Sequence, residues 1–227
     1  MNGAVIIPCA GSGKRFGNTT KKQYVHIDQH PLFYYTLLPF LSIVELHEII
    51  LVVPEEDISC VRESIQKLLN NEKRIRIIAG GKERQDSVFN GLSAIQNASF
   101  VLVHDGVRPM VTKKLIQECI DATKKYGTCV PGIPLKDTLK EVTDTIVIKT
   151  VDRRRYILTQ TPQGFSYSLL MNCYKNAQES EKLFTDDASL VESFGHKVYV
   201  IPGDEMNIKI TTQSDIKLIE YLRSQCV

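Results

Sequence analysis

An apolar strand that runs straight into a glycine-rich turn loaded with cations limits what the start of this chain can build. Ala4-Val5-Ile6-Ile7-Pro8 reads as a buried strand. Cys9-Ala10-Gly11-Ser12-Gly13-Lys14-Arg15-Phe16-Gly17 follows it, and Lys21-Lys22-Gln23-Tyr24 comes close behind. Glycine admits unusual backbone angles and keeps side chains away, so such a turn presents backbone N–H groups to an anion. Lys14, Arg15, Lys21 and Lys22 add full charges to those small dipoles. The combination reads as a polyphosphate site at the first strand-to-helix crossover. Two familiar alternatives fail on spacing. A P-loop requires G-x-x-x-x-G-K-[ST], but Asn18 and Thr19 follow Gly17. A dinucleotide turn requires G-x-G-x-x-G, and here the third glycine arrives one residue late.

Strand and helix signals then alternate to about residue 130. Ile49–Val53, Ile75–Ile78, Phe100–Val103 and Cys129-Val130 read as buried strands. Between them, Ile58, Val61, Ile65, Leu68 and Leu69 mark one helix face, Val88, Leu92 and Ile95 a second, and Leu115, Ile116, Cys119 and Ile120 a third. The expected architecture is α/β: a Rossmann-like, mostly parallel twisted sheet with helices on both faces. Ligands of such sheets gather at the carboxyl ends of the strands. The polar motifs fall there: Gly11–Gly17, Gly80–Ser87, and His104-Asp105-Gly106-Val107-Arg108-Pro109.

From about Asp137 to Thr161 the pattern changes to a hairpin with a polar tip, followed by Asp152-Arg153-Arg154-Arg155. This reads as a protruding β-arm inserted into a single domain spanning residues 1–227. With too few apolar residues for a core of its own, the arm is expected to pack on a second subunit. Helices are expected again from about Ser166, after Thr185, and from about Thr212, where Thr212-x-x-Asp215 resembles a capping box.

A net charge of +2 with 24% charged residues gives no global basic field of the kind that coats nucleic acid. No apolar run approaches the roughly 20 residues needed to span a bilayer. The chain enters a strand within a few residues, which leaves no room for a signal peptide. The six cysteines include no C-x-x-C pair and no zinc spacing, so free thiols in a reducing cytoplasm are expected. Cys119 and Cys173 read as core. Cys9 lies in the turn, where cations would lower its pKa, but no histidine is placed to make it a nucleophile.

Asp105 ends a buried strand beside the polyphosphate turn. Its carboxylate suits Mg²⁺, with phosphate oxygens completing the shell; the alternative is a salt bridge to Arg108. His104 has no evident proton to move and reads as structural. Phosphoryl or nucleotidyl transfer needs positioning, with cations where negative charge builds up, and Arg15 and Lys22 fit that need. A second phosphorylated substrate needs its own cations, for which Arg153 and Lys209 are suited. Arg153 also reads as part of a solvated charge run. Lys209, between Ile208 and Ile210, reads as one face of a strand lining a cleft or open to solvent.

These residues carry a resemblance. The Pro8–Phe16 run with Lys22-Gln23-Tyr24 is similar to nucleotidyltransferases that attach sugars or polyols to nucleoside diphosphates. Seven further segments follow in order. They are Gly80–Val88, His104-Asp105 with Arg108-Pro109, Asp137-Thr138, Thr150–Arg153, Thr161–Phe165, Thr185–Ser189 and Asn207–Lys209. Together they resemble the 2-C-methyl-D-erythritol 4-phosphate (MEP) cytidylyltransferase family over nearly the whole chain. The resemblance implies attack of the MEP phosphate on the α-phosphorus of CTP, with Mg²⁺ as cofactor and pyrophosphate as the second product. By matching position, Arg15 and Lys22 would stabilise the transition state, and Arg153 and Lys209 would hold MEP. Pro8, Cys9, Ala10, Gly11, Gly13, Gly81, Arg84 and Ser87 would surround the nucleotide, with Arg84 and Ser87 near base and ribose. Asp105 would hold the metal, and Arg108, Thr138 and Thr185 would line the polyol site. The arm would cross to the partner of a homodimer, so that Arg153 acts in trans.

The chain departs from the family pattern at three places. Cys9 stands where a second alanine is usual, Gly106-Val107 replaces Ala-Ala, and Met206 replaces an acidic residue. A ribitol 5-phosphate cytidylyltransferase is the nearest alternative. The Thr-Val-Asp-Arg and Thr-Asp-Asp-Ala-Ser segments favour MEP.

Overall fold

Every side chain from Ala4 to Ile7 is fully buried. Successive side chains of a strand point to opposite faces, so this strand has a covered sheet on both sides. Ala4 and Ile6 join one apolar cluster, and Val5 and Ile7 join the other. The computed structural model describes residues 2–11, 21–178 and 182–224.

In chain order these form β1 (Gly3–Pro8), a short hairpin of β2 (His26–Ile27) and β3 (His30–Pro31), α1 (Leu32–Leu41), β4 (Leu46–Val53) and α2 (Ile58–Leu68). Next come β5 (Ile75–Ala79), α3 (Arg84–Ala94), β6 (Phe100–Val103), α4 (Lys113–Tyr126) and β7 (Thr128–Pro134). The remaining elements are β8 (Leu139–Thr143), β9 (Ile146–Val151), β10 (Ile157–Thr159), β11 (Gln163–Ser166), α5 (Tyr167–Ala177), α6 (Asp187–Ser193), β12 (Val200–Pro202) and α7 (Gln213–Ser224).

The main sheet has the order β10-β7-β11-β6-β1-β4-β5, with β12 also paired to β7. β6, β1, β4 and β5 pair in parallel. β11 is antiparallel to both β6 and β7, and β10 is antiparallel to β7. The expected α/β class, mostly parallel sheet and two covered faces are all present. One face carries apolar residues of α1, α2 and α4, and the other those of α3, α5 and α6. α4 shows how local chemistry sets the bounds of these helices. Thr112 accepts at its hydroxyl the N–H of Leu115 (3.2 Å), and Gly127 ends the helix at φ 82°, which costs glycine nothing.

The arm is shorter than the sequence suggests. Its hairpin is β8–β9, turning through Asp144 at φ 51°. Asp152 caps a tight turn by accepting the Arg154 N–H (3.2 Å), and the chain then returns to the main sheet as β10. Residues 157–159 therefore belong to the sheet, because their backbone groups find partners on β7. Among the described residues, no helix is long and apolar enough to cross a membrane.

Candidate active site

β1, β5 and β6 deliver their carboxyl ends to a single cavity of about 420 Å³, within the range of small-molecule sites. Pro8, Cys9, Ala10 and Gly11 form one wall, Gly81, Arg84 and Ser87 a second, and Asp105 with Gly106 the floor. Lys22 and Lys209 reach it from outside the sheet. The turn after β1 is fastened from two sides. The Cys9 N–H donates to the Val52 carbonyl (2.7 Å), and the Cys9 carbonyl accepts the Gln23 side-chain amide (2.6 Å). The Gly81 N–H donates to the Ser87 hydroxyl (3.1 Å), which in turn donates to the Glu83 carbonyl (3.1 Å). A Cβ on Gly106 would lie 2.1 Å from the Cys9 sulfur, so the bare glycine is what admits that thiol.

The Cys9 thiol contradicts the expectation of a lowered pKa. Burial, reinforced by the Asp105 charge, pushes it up to about 12. It is a protonated packing group, with no capacity to act as a nucleophile at neutral pH. Cys119 and Cys173 are buried in the core, as expected.

Asp105 makes the ion pair with Arg108 that the sequence offered as the alternative to a metal. Lys209 Nζ lies 2.9 Å from one carboxylate oxygen and Arg108 Nε 3.3 Å from the same oxygen, while Arg84 Nε is 3.7 Å from the other. Burial alone would raise its pKa. The charges of Lys209, Arg84 and Arg108 outweigh that, and they hold the carboxyl well below the usual carboxylate range. His104 is structural: its ring meets the Thr161 hydroxyl (3.1 Å) and the Arg108 carbonyl (3.2 Å), and burial lowers its pKa to about 4.

Lys209 is not on a strand, contrary to the sequence reading; residues 203–211 form a loop. Its backbone is fixed by cross-links instead of a ladder. The Asn207 carbonyl accepts Arg108 Nη1 (2.7 Å), the Asn207 amide donates to the Thr161 carbonyl (2.7 Å), and the Ile210 N–H donates to the Val107 carbonyl (2.9 Å).

A second cavity, of about 180 Å³, adjoins the first. Thr185, Arg108 and Gln163 line it alone, whereas Arg84, Asp105 and Lys209 line both. Two anion-ready pockets thus share one charged wall, the arrangement a transferase needs if donor and acceptor are to meet.

The comparisons with known proteins agree. The family model for 2-C-methyl-D-erythritol 4-phosphate cytidylyltransferase matches residues 4–224. The chain belongs to that family. A relative of that name from Clostridium botulinum is 42% identical over 221 residues, covering 96% of this chain and 98% of the relative. One from Bacillus cereus is 44% identical over 222 residues, covering 97% and 98%. Among solved structures, 4-diphosphocytidyl-2C-methyl-D-erythritol synthase from Anaerococcus prevotii superposes with a TM-score of 0.87 at 33% identity, covering 98% of this chain and 96% of that one. The cytidylyltransferase from Thermus thermophilus does so with 0.81 at 28% identity, covering 99% and 100%. The ribitol 5-phosphate alternative is not favoured by these matches.

Within the family pocket, the structure brings together Pro8, Cys9, Ala10, Gly11, Lys22, Gly81, Arg84, Ser87, Asp105 and Lys209 around the first cavity, and Arg108 and Thr185 around the second. Thr138 and Arg153 line neither; both are exposed at the base of the arm, with the Arg153 guanidinium donating to the Lys136 carbonyl. Gly13 and Arg15 lie outside the described residues. Lys21, counted from sequence among the cations of the phosphate turn, instead pairs with Glu56 and Asp57 near the start of α2 (2.7 Å each).

Sequence reasoning missed three polar residues that hold this pocket: Gln23, Asp187 and Asn207. Each is buried. Asp187 receives Arg84 Nη2 (2.8 Å) and the Tyr174 hydroxyl (2.6 Å), tying the Gly81–Ser87 wall to α6. All three fall inside quoted motifs, but nothing in their spacing separates a buried tie from a surface group.

Proposed function

We propose that the paired cavities transfer the cytidylyl group of CTP to MEP, giving 4-diphosphocytidyl-2-C-methyl-D-erythritol and pyrophosphate. The observation that carries this reading is the shared wall of Arg84, Asp105 and Lys209 between the two cavities. CTP would occupy the larger cavity, its triphosphate along the Pro8–Gly11 turn and its base and ribose toward Arg84 and Ser87. MEP would occupy the smaller, with its polyol toward Arg108 and Thr185 and its phosphate at Lys209. A MEP phosphate oxygen then bonds to the α-phosphorus while the bond to the departing pyrophosphate breaks, in one displacement. The protonated Cys9 thiol offers no covalent route. Charge accumulates on the phosphoryl oxygens, and the Lys22 ammonium, which lines the larger cavity, would stabilise it; Arg15, outside the described residues, would share that role.

Asp105 fits a magnesium site. It is ionised at neutral pH and it faces both cavities. One carboxylate, with phosphate and water oxygens, is a donor set that magnesium accepts. The ion would screen the triphosphate and bind it to the floor of the pocket.

The arm supports a homodimer. Val142, Ile146 and Ile148 are each more than half exposed on a hairpin that lacks a core. Carried to a partner's pocket, Arg153 and Thr138 would meet the acceptor there. The direct test is pyrophosphate release from CTP with MEP or ribitol 5-phosphate as acceptor. Turnover with MEP alone is expected, and turnover with ribitol 5-phosphate alone would overturn the assignment.

A further inference from the structure

Lys22 lies on a single 3₁₀ turn, Lys22–Tyr24, far too short to hold a side chain in place by itself. What fixes the turn lies on either side of Lys22. Lys21 is clamped to Glu56 and Asp57 at 2.7 Å each. Gln23 turns the other way. It is only 2% exposed, and its amide nitrogen donates to the Cys9 carbonyl at 2.6 Å, across fourteen residues of sequence. That bond ties the Lys22–Tyr24 turn to the exit of β1, the strand end that the Cys9 N–H bond to Val52 already fixes to β4. Lys22 lies between these two anchored residues and lines the first cavity, its ammonium donating to the Ile210 carbonyl (3.4 Å).

We propose that Gln23 is a positioning residue for Lys22: its amide staples the Lys22–Tyr24 turn to the exit of β1 and so sets the height of the ammonium over the reacting phosphate. The inference rests on the reading of Lys22 given above. The Cys9 carbonyl is acceptor-only, so no side chain lacking a donor can replace the amide. Losing the staple would leave a buried carbonyl unpaired and let Lys22 drift. A displacement of about 1 Å at such a group costs on the order of a hundredfold in rate.

The test is a double-mutant cycle read by steady-state pyrophosphate release, with melting temperatures recorded for every variant. Gln23→Met keeps the shape and deletes the donor. Expected is a fall in kcat of about ten- to a hundredfold with KM for MEP within about twofold, and no further fall when Gln23→Met is added to Lys22→Ala. If both changes are harmful but their effects multiply, Gln23 does not act through Lys22 and the proposal fails while the Lys22 reading stands. If Lys22→Ala turns over at the native rate, the Lys22 reading itself fails. A native rate in Gln23→Met also overturns the proposal. Should Gln23→Met not fold, the cycle is run with Gln23→Asn, which retains an amide one methylene short of Cys9, and the same non-additivity is required.

Discussion

Gly106→Ala and Cys9→Ala should each harm the protein alone and cancel when combined. A Cβ on Gly106 would lie 2.1 Å from the Cys9 sulfur, 3.1 Å from the Pro8 carbonyl oxygen and 3.5 Å from a methyl of Ile7. The first contact needs more than 1 Å of relief, the second a few tenths of an ångström, and the third is ordinary. Neither partner has an easy way out. The Gly106 carbonyl accepts the Thr36 hydroxyl at 3.0 Å, and the Cys9 backbone is held at both its N–H and its carbonyl. Overpacking of this kind costs about 1–3 kcal/mol. Gly106 does not have a positive φ, so the added methyl brings no backbone strain and returns about 0.4–1 kcal/mol through the unfolded chain. The net expectation for Gly106→Ala is a loss of about 1–2 kcal/mol. Cys9→Ala removes a buried sulfur and leaves a void, a loss of about 1 kcal/mol. In the double variant the new methyl fills the space the sulfur left, and stability should return to within about 0.5 kcal/mol of native. Urea midpoints of the four proteins measure the cycle. Additivity of the two losses would refute the reasoning, since it would mean that the sulfur and the missing methyl do not share that space.

Three further outcomes are expected. In the metal-free protein, His104 is neutral in the fold, with a pKa near 4 against an ordinary 6.5. Its contribution, about 3 kcal/mol, is full above pH 6.5 and is lost as the pH falls toward 4; the urea midpoint should drop across that window, and His104→Gln should flatten the drop. Arg84→Met strips the fully buried Asp187 carboxylate of its guanidinium, and with the arginine about one-third exposed the expected cost is about 2 kcal/mol, recovered in part by Asp187→Asn and read from thermal unfolding. Ile146→Asp with Ile148→Asp charges the exposed face of the arm hairpin and should convert a dimer to monomers by light scattering while abolishing turnover. Fully active monomers would show that Arg153 is not needed from a partner.

The order of strands and helices was legible because fully buried strands and amphipathic helices leave different periods in sequence. Ile49–Val53 and Phe100–Val103 are continuous apolar runs, and both are central strands with neighbours on either side. The sequence reading failed where structure rests on isolated cross-links. Lys209 alternates with isoleucines as it would on a strand, yet its loop is held by Arg108, Thr161 and Val107, residues 46 to 103 positions away in the chain. β10 was hidden because three residues, Ile157–Thr159, are too few to show a period. The Cys9 thiol was misjudged for a related reason. Sequence shows which charges are near in the chain, whereas its pKa is set by burial and by Asp105, nearly a hundred residues on.

The three cations on Asp105 constrain how its neighbour Gly106 packs against Cys9. The two adjoining cavities gather Arg84, Arg108 and Lys209 around one carboxylate, and without it these cations would repel one another. Asp105 pairs with Arg84, Arg108 and Lys209, and Asp187 pairs with Arg84. That balance depends on Asp105 standing at a fixed height above the end of β6, and its backbone N–H is pinned there by the Thr161 hydroxyl at 3.0 Å. The residue next to it, Gly106, must then meet β1 without displacing it. An alanine pair or a cysteine over a glycine can each fill that contact, but a cysteine over an alanine cannot. Cys9 and Gly106 are therefore one packing unit, and it leaves Asp105 free to hold its three cations.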